Sequence, residues 1–103
     1  MAESRLPSVS ATEAVVLNLL ESGERFGLEL VNASAGRLKR GSVYVTLSRM
    51  EAKGFVESWQ EERAPKAIGL PRRLYRATAY GLQVRDAYVL LREALALKPA
   101  EAQ

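Results

Sequence analysis

Ser42, Tyr44, Thr46, Arg49 and Lys53 lie within the short segment Gly41 to Gly54, whose single acidic residue is Glu51. At the helical advance of about 100° per residue, Val43, Leu47 and Met50 gather on one side. Val45, Ser48, Arg49 and Ala52 fall opposite, with Ser42, Thr46 and Lys53 beside Arg49 and Tyr44 on the other flank. The chemistry open to this outer face is donation to anionic oxygens and to the edges of bases. Ser42 can offer a hydroxyl and free helix amides to a phosphate, or simply cap the helix. The Tyr44 hydroxyl can reach a phosphate, or the ring can be partly buried. Thr46 can touch a thymine methyl, and Arg49 can fork onto guanine or grip phosphate, unless it is merely solvated or paired with Glu51. Val45 shares the outer face and is counted with them.

The remaining composition narrows the alternatives. With no histidine and no cysteine, the chain lacks the commonest general base, the commonest metal ligands and any disulfide framework. No cofactor or metal site is expected, and an enzyme is the weakest reading. No apolar run approaches the roughly eighteen residues of a membrane span, and the first residues lack a signal-peptide core, so the expected location is the cytoplasm. At 103 residues the chain is expected to form one domain, or one domain with an appended helix. The net charge of +3 is unevenly spread. Residues 1–35 carry two basic and five acidic side chains, residues 36–81 ten basic and four acidic, and residues 82–103 three of each. A positive centre between acidic and neutral flanks suits a local anionic partner.

The elements that would position these residues follow from punctuation and periodicity. Residues 1–9 read as a flexible lead. Ser10 and Glu13 form a capping box ahead of the apolar run Ala14 to Leu20, a buried first helix ending at Gly23. Phe26 to Ala35 reads as a second helix, packed through Phe26, Leu30 and Val31 with Ala33 and Ala35 as small contacts, and Gly36 ends it. Arg37 to Arg40 form a basic connector. The third helix runs from about Gly41 to Lys53 and stops at Gly54. Its apolar stripe is narrow, which leaves most of its circumference free.

Phe55 to Gln60 and Leu74 to Thr78 read as two strands joined by a long loop rich in basic residues and prolines. Three helices followed by a two-stranded hairpin make a mainly α chain with a β wing, a winged helix-turn-helix occupying residues 10–78. Lys39 and Arg40 ahead of the third helix, and Lys53 near its end, are placed at backbone phosphates. Arg63, Lys66, Arg72 and Arg73 in the wing can track phosphates or enter the minor groove, with Arg73 ranked lower because it can lie across the hairpin. Glu61 and Glu62 would oppose a phosphate and are expected to face away or pair with Arg63. Trp59 and Tyr75 read as packing residues.

Thr78 is expected to cap a last helix reaching about Leu97, with residues 99–103 as a disordered tail. Tyr80, Val84, Ala87, Leu91 and Ala94 recur at spacings of four and three, and Tyr88 and Leu95 widen the stripe. Leu82 and Val89 fall on the far side. Apolar residues on several faces imply a partner beyond the helix's own domain, so residues 79–98 are read as a dimerisation helix.

Tyr44-Val45-Thr46-Leu47-Ser48-Arg49-Met50-Glu51-Ala52-Lys53-Gly54-Phe55-Val56 resembles the recognition-helix signature of PadR-type transcriptional regulators. Pro71-Arg72-Arg73-Leu74-Tyr75-Arg76-Ala77-Thr78-Ala79-Tyr80-Gly81 is similar to that family's wing strand and helix start, and Phe26-Gly27 to its entry into the second helix. The resemblance spans about residues 10 to 97. It implies a winged-helix homodimer, built through its C-terminal helix, that usually represses transcription from an imperfectly palindromic site on double-stranded DNA. It also implies release by a small-molecule effector or a stress signal. The short C-terminal region resembles the single-helix subgroup. Some members of that subgroup stack flat aromatic ligands on a tryptophan of the last helix, whereas the one tryptophan here is Trp59 in the wing. The competing reading is a winged helix that binds protein instead of DNA.

Overall fold

In a computed structural model, which describes residues 6–62, 68–69 and 71–96, four helices surround one core and a small sheet closes its side. Helix α1 (Ala11–Leu20) starts as the Ser10–Glu13 pattern expects. The Glu13 amide donates to Ser10 Oγ at 3.1 Å and the Ser10 amide to Glu13 Oε1 at 2.9 Å, which satisfies two amides that the first turn leaves free. Val16, Leu17 and Leu20 are buried, and with Leu30, Leu47, Met50 and Phe55 they make the centre of the core.

Strand β1 (Arg25–Phe26) precedes helix α2 (Gly27–Ala33). The sheet is antiparallel with order β1-β3-β2, where β2 is Val56–Gln60 and β3 is Arg73–Ala77. The wing therefore has a third strand beyond the two read from the sequence. Phe26, assigned to a helix by its apolar character, is the last residue of β1 and pairs with Leu74. Two residues are too few to show an alternating pattern, so only the free edge of β3 makes them a strand.

Between α2 and helix α3 (Val43–Ala52) the connector is more than basic. Leu38 is buried, its amide donating to Ser34 Oγ at 3.0 Å, and Ser34 in turn donates to the Val31 carbonyl. Ser34 thus occupies the small buried site expected of Ala33 and Ala35, both of which are exposed.

Helix α3 ends as its sequence demands. The Phe55 amide donates to the Met50 carbonyl at 2.9 Å and the Gly54 amide to the Glu51 carbonyl at 3.0 Å. This paired closure requires a left-handed residue, and Gly54 supplies it with φ of 81°. The turn drops Phe55 into the core and starts β2. Helix α4 (Ala79–Leu95) is capped by Thr78, whose hydroxyl oxygen accepts from the Gly81 amide at 2.9 Å. That hydroxyl also donates to the Gly54 carbonyl at 2.7 Å, joining the end of α3 to the start of α4.

Val84 anchors α4 to this core. Expected at a subunit contact, it is buried in its own domain, because the stripe that docks a helix and the stripe offered to a partner share one sequence period. Among the described residues no helix is long and apolar enough to cross a membrane, and no group of His, Cys, Asp or Glu is placed to hold a metal ion.

Thr78→Ala should lower the unfolding free energy by about 1–2 kcal/mol, the usual cost of a lost N-cap, in urea denaturation. Thr78→Ser, which keeps the oxygen, should retain most of it.

Candidate nucleic-acid interface

Helix α3 is attached through Val43, Leu47 and Met50, all buried. Around the rest of it, Ser42, Tyr44, Val45, Ser48, Arg49 and Ala52 are exposed and Thr46 is half-buried. The face that the periodicity turned outward is therefore outward in the tertiary structure. Ser42 takes the N-cap position without a side-chain hydrogen bond to the helix, so its hydroxyl is not spent on capping. Lys39 and Arg40, just before it, are also exposed.

The acid of this helix is turned to structural use. Glu51 Oε2 accepts from Ser58 Oγ at 2.9 Å, and Ser58 Oγ accepts from Arg73 Nε at 2.9 Å. The chain Arg73–Ser58–Glu51 ties the wing to α3 and partly neutralises the carboxylate. Arg73 lies across the hairpin, as its lower ranking anticipated. Tyr75, opposite Ser58 in the register, is buried. Burial pushes its hydroxyl pKa up, opposed by the charge of Arg73 and helped by Tyr44 and Glu51, so it remains a neutral phenol.

Tyr44 is held in place by an absent side chain. Its ring lies across Gly27, where a Cβ would fall 2.5 Å from Tyr44 Cε1. Phe26-Gly27 thus serves as a seat for Tyr44, which leans on α2 and remains 48% exposed. Around it α2, α3 and the wing enclose a cleft of about 560 Å³, with Phe26, Asn32, Gln60, Arg72 and Arg73 in its lining. Sequence patterning does not reach Asn32 or Gln60, since neither belongs to a motif and only the packing of three elements brings them to Tyr44.

Two expected cations are already engaged. Arg72 stacks its guanidinium 3.9 Å from the centre of the Phe26 ring and donates through Nε and Nη2 to Glu61 at 3.3 and 3.2 Å. Glu61 thus pairs with Arg72. Lys53 donates to Glu13 Oε1 and Oε2 at 3.0 and 2.9 Å and to the Ser8 carbonyl at 2.8 Å. Its ammonium is turned towards α1, while the residue itself stays exposed. Arg63 and Lys66 lie outside the described residues.

A second surface runs along α4. Tyr80, Val84, Ala87, Tyr88 and Leu91 face Leu6, Pro7 and Val9 across an apolar groove of about 490 Å³. Residues 6–9, expected to be a loose lead, form one wall of it, and Val9 packs against the core. Ala94 and Leu95 lie further along the helix and are exposed, as are Leu90 and Leu91. Trp59 is half-buried on the outer face of the sheet, with the Arg76 guanidinium 5.3 Å above its ring.

The model of the Transcriptional regulator PadR-like family matches residues 16–87, most of the chain and both the exposed helix and the wing. The chain belongs to the PadR-like family. Solved PadR structures share its fold. A PadR family transcription regulator from Clostridium difficile R20291 superposes with a TM-score of 0.70 at 22% identity, over 84% of this chain and 91% of that one. One from Eggerthella lenta DSM 2243 gives 0.69 at 26% identity, over 81% and 72%. Bacillus subtilis PadR, solved in complex with operator DNA, gives 0.67 at 21% identity, over 77% of this chain and 46% of that one. No curated protein matches significantly.

Gly27→Ala should leave the helical content unchanged in circular dichroism while displacing the Tyr44 ring, visible as altered Tyr44 aromatic resonances in NMR spectra. An unmoved ring would show that the Gly27 seat does not set its position.

Proposed function

We propose that this PadR-like chain is a sequence-specific, dimeric DNA-binding repressor acting in the cytoplasm and released by a small molecule or a stress signal. The observation that carries the reading is the outward face of α3, where Thr46 and Arg49 sit beside Val45 and Ser48 while Val43, Leu47 and Met50 hold the helix from behind. A helix attached by so narrow a stripe can enter a major groove with its outer half intact. The B. subtilis relative solved with operator DNA supports the partner class.

In this reading Arg49 and Thr46 meet base edges, with Val45 as an apolar contact. Ser42, Tyr44, Lys39 and Arg40 hold the backbone, and the wing residues Arg63 and Lys66 follow the adjacent groove. Arg72 and Arg73 shape the cleft beside Tyr44 through Glu61 and Ser58, and reach phosphate only by exchanging those partners. Residues 10–78 form the DNA-binding unit and residues 79–98 the dimerisation helix.

For dimerisation, the support is α4 itself. Leu90, Leu91 and Leu95 are 67%, 59% and 75% exposed, an apolar surface that water disfavours and a second α4 would cover. Two-fold symmetry then sets two recognition helices about 34 Å apart, one turn of duplex, and implies an imperfect palindrome.

Binding should weaken steeply with salt, with a slope of about −0.9 per phosphate contacted, in shift assays against palindromic and random duplexes. Equal affinity for every duplex at physiological salt would remove the claim of specific readout. Arg49→Ala should cost about 1–3 kcal/mol of specific binding without altering the fold. Leu91→Asp, at an exposed position, should leave a folded monomer by sedimentation equilibrium, with DNA affinity reduced because two half-sites can no longer be held together.

A further inference from the structure

Lys53 is the C-cap residue of α3, and its amide donates to the Arg49 carbonyl at 3.0 Å. Its ammonium carries three hydrogens and has three acceptors in place, both oxygens of Glu13 and the carbonyl of Ser8. The face of Phe55 lies 5.5 Å away, adding a further contact for the cation. The ammonium is thus committed to partners on α1 and the segment before it, although the side chain stays 36% exposed. Glu13 is buried, with 3% of its surface exposed, so its carboxylate depends on this cation for compensation. Ser8 sits between Pro7 and Val9, two of the residues that wall the apolar groove beside α4.

We infer that Lys53 is a positioning residue. With Glu13 and the Ser8 carbonyl it forms a joint that holds the last turn of α3, and Arg49 with it, in register with the groove wall formed by residues 6–9. The inference rests on the DNA-binding reading for its consequence, since it makes the grip of α3 on a duplex depend on a contact that faces away from the duplex. It also gives the groove a mechanical route to the recognition helix. Displacing Pro7 and Val9 pulls on the Ser8 carbonyl, frees one hydrogen of the ammonium and loosens the turn to which Arg49 is bonded.

The test compares Lys53→Met, Glu13→Gln, Lys53→Arg and the Lys53→Met/Glu13→Gln double variant of the full chain. Gln keeps the capping box of α1, so Glu13→Gln removes the charge while retaining the helix start. The probe is a mixed-sequence duplex of about 30 base pairs, long enough for two recognition helices. Lys53→Met and Glu13→Gln should each weaken binding by about 3- to 30-fold, and the double variant no more than either, because both break the same coupling. The slope of affinity against salt should stay that of the parent protein, and Lys53→Arg should retain most of the affinity. A Lys53→Met slope shallower by about one unit, with Glu13→Gln binding as tightly as the parent, would make Lys53 a phosphate contact and overturn the inference.

Amide hydrogen exchange without DNA separates this inference from the reading beneath it. Both single variants should lose protection together in the last turn of α3, at the amides of Lys53, Gly54 and Phe55, while the capping-box amides of Ser10 and Glu13 stay protected. Unchanged protection would sink the joint even if the parent binds duplex, whereas a parent that binds no duplex would sink the DNA reading while exchange still decided the joint.

Discussion

Helix α3 is held by three buried side chains, Val43, Leu47 and Met50, and by the turn that follows it. Everything the domain can offer on that side depends on how little of the helix those contacts consume. A core helix ordinarily spends a broad stripe on packing, whereas this one spends a narrow one and closes with Gly54, dropping Phe55 into the space beneath its own last turn. Thr78 then fastens that turn to α4 through the Gly54 carbonyl. The outward face is thus rigid without being covered, which is the condition for presenting Thr46 and Arg49 in a fixed geometry.

The charged residues divide into two sets with different work. Lys39, Arg40 and Arg49 are exposed on or beside α3. Lys53, Arg72 and Arg73 stand close in sequence to residues of the same kind, yet each is engaged within the domain, by Glu13, Glu61 and Ser58 respectively. The positive balance of residues 36–81 therefore overstates the charge free to meet an anion. What these pairs contribute instead is geometry, since Arg73 and Ser58 link the wing to α3, and Lys53 links α3 to α1. Partly buried pairs of this kind are tolerated because each carboxylate and each cation meets a partner, and they limit how the elements can shift.

The groove beside α4 unites two features that looked separate in the sequence, an N-terminal lead and a helix with too many apolar faces. Val84 is buried in the core and Val9 packs partly against it, and both also line the open channel along which Tyr80, Tyr88 and Leu91 remain. The helix thus divides its apolar residues between its own domain and the outside, in the proportion that three or four residues per two turns allows.

Much of this was legible from the chain alone, where the signal is local. Ser10 and Glu13 announce the start of α1, Thr78 that of α4, Gly54 the end of α3, and the spacing of Val43, Leu47 and Met50 its buried side, because caps, left-handed turns and helical periods act over three to five residues. Relations across the fold were not legible. That Phe26-Gly27 is a strand end and a seat for Tyr44, that Leu38 and Ser34 are interior, and that Glu13 meets Lys53 40 positions away depend on which elements meet. A side chain's type states what it can donate or accept. Whether that capacity faces solvent or is consumed inside is decided by the packing of α1, α3 and the wing, which no local pattern encodes.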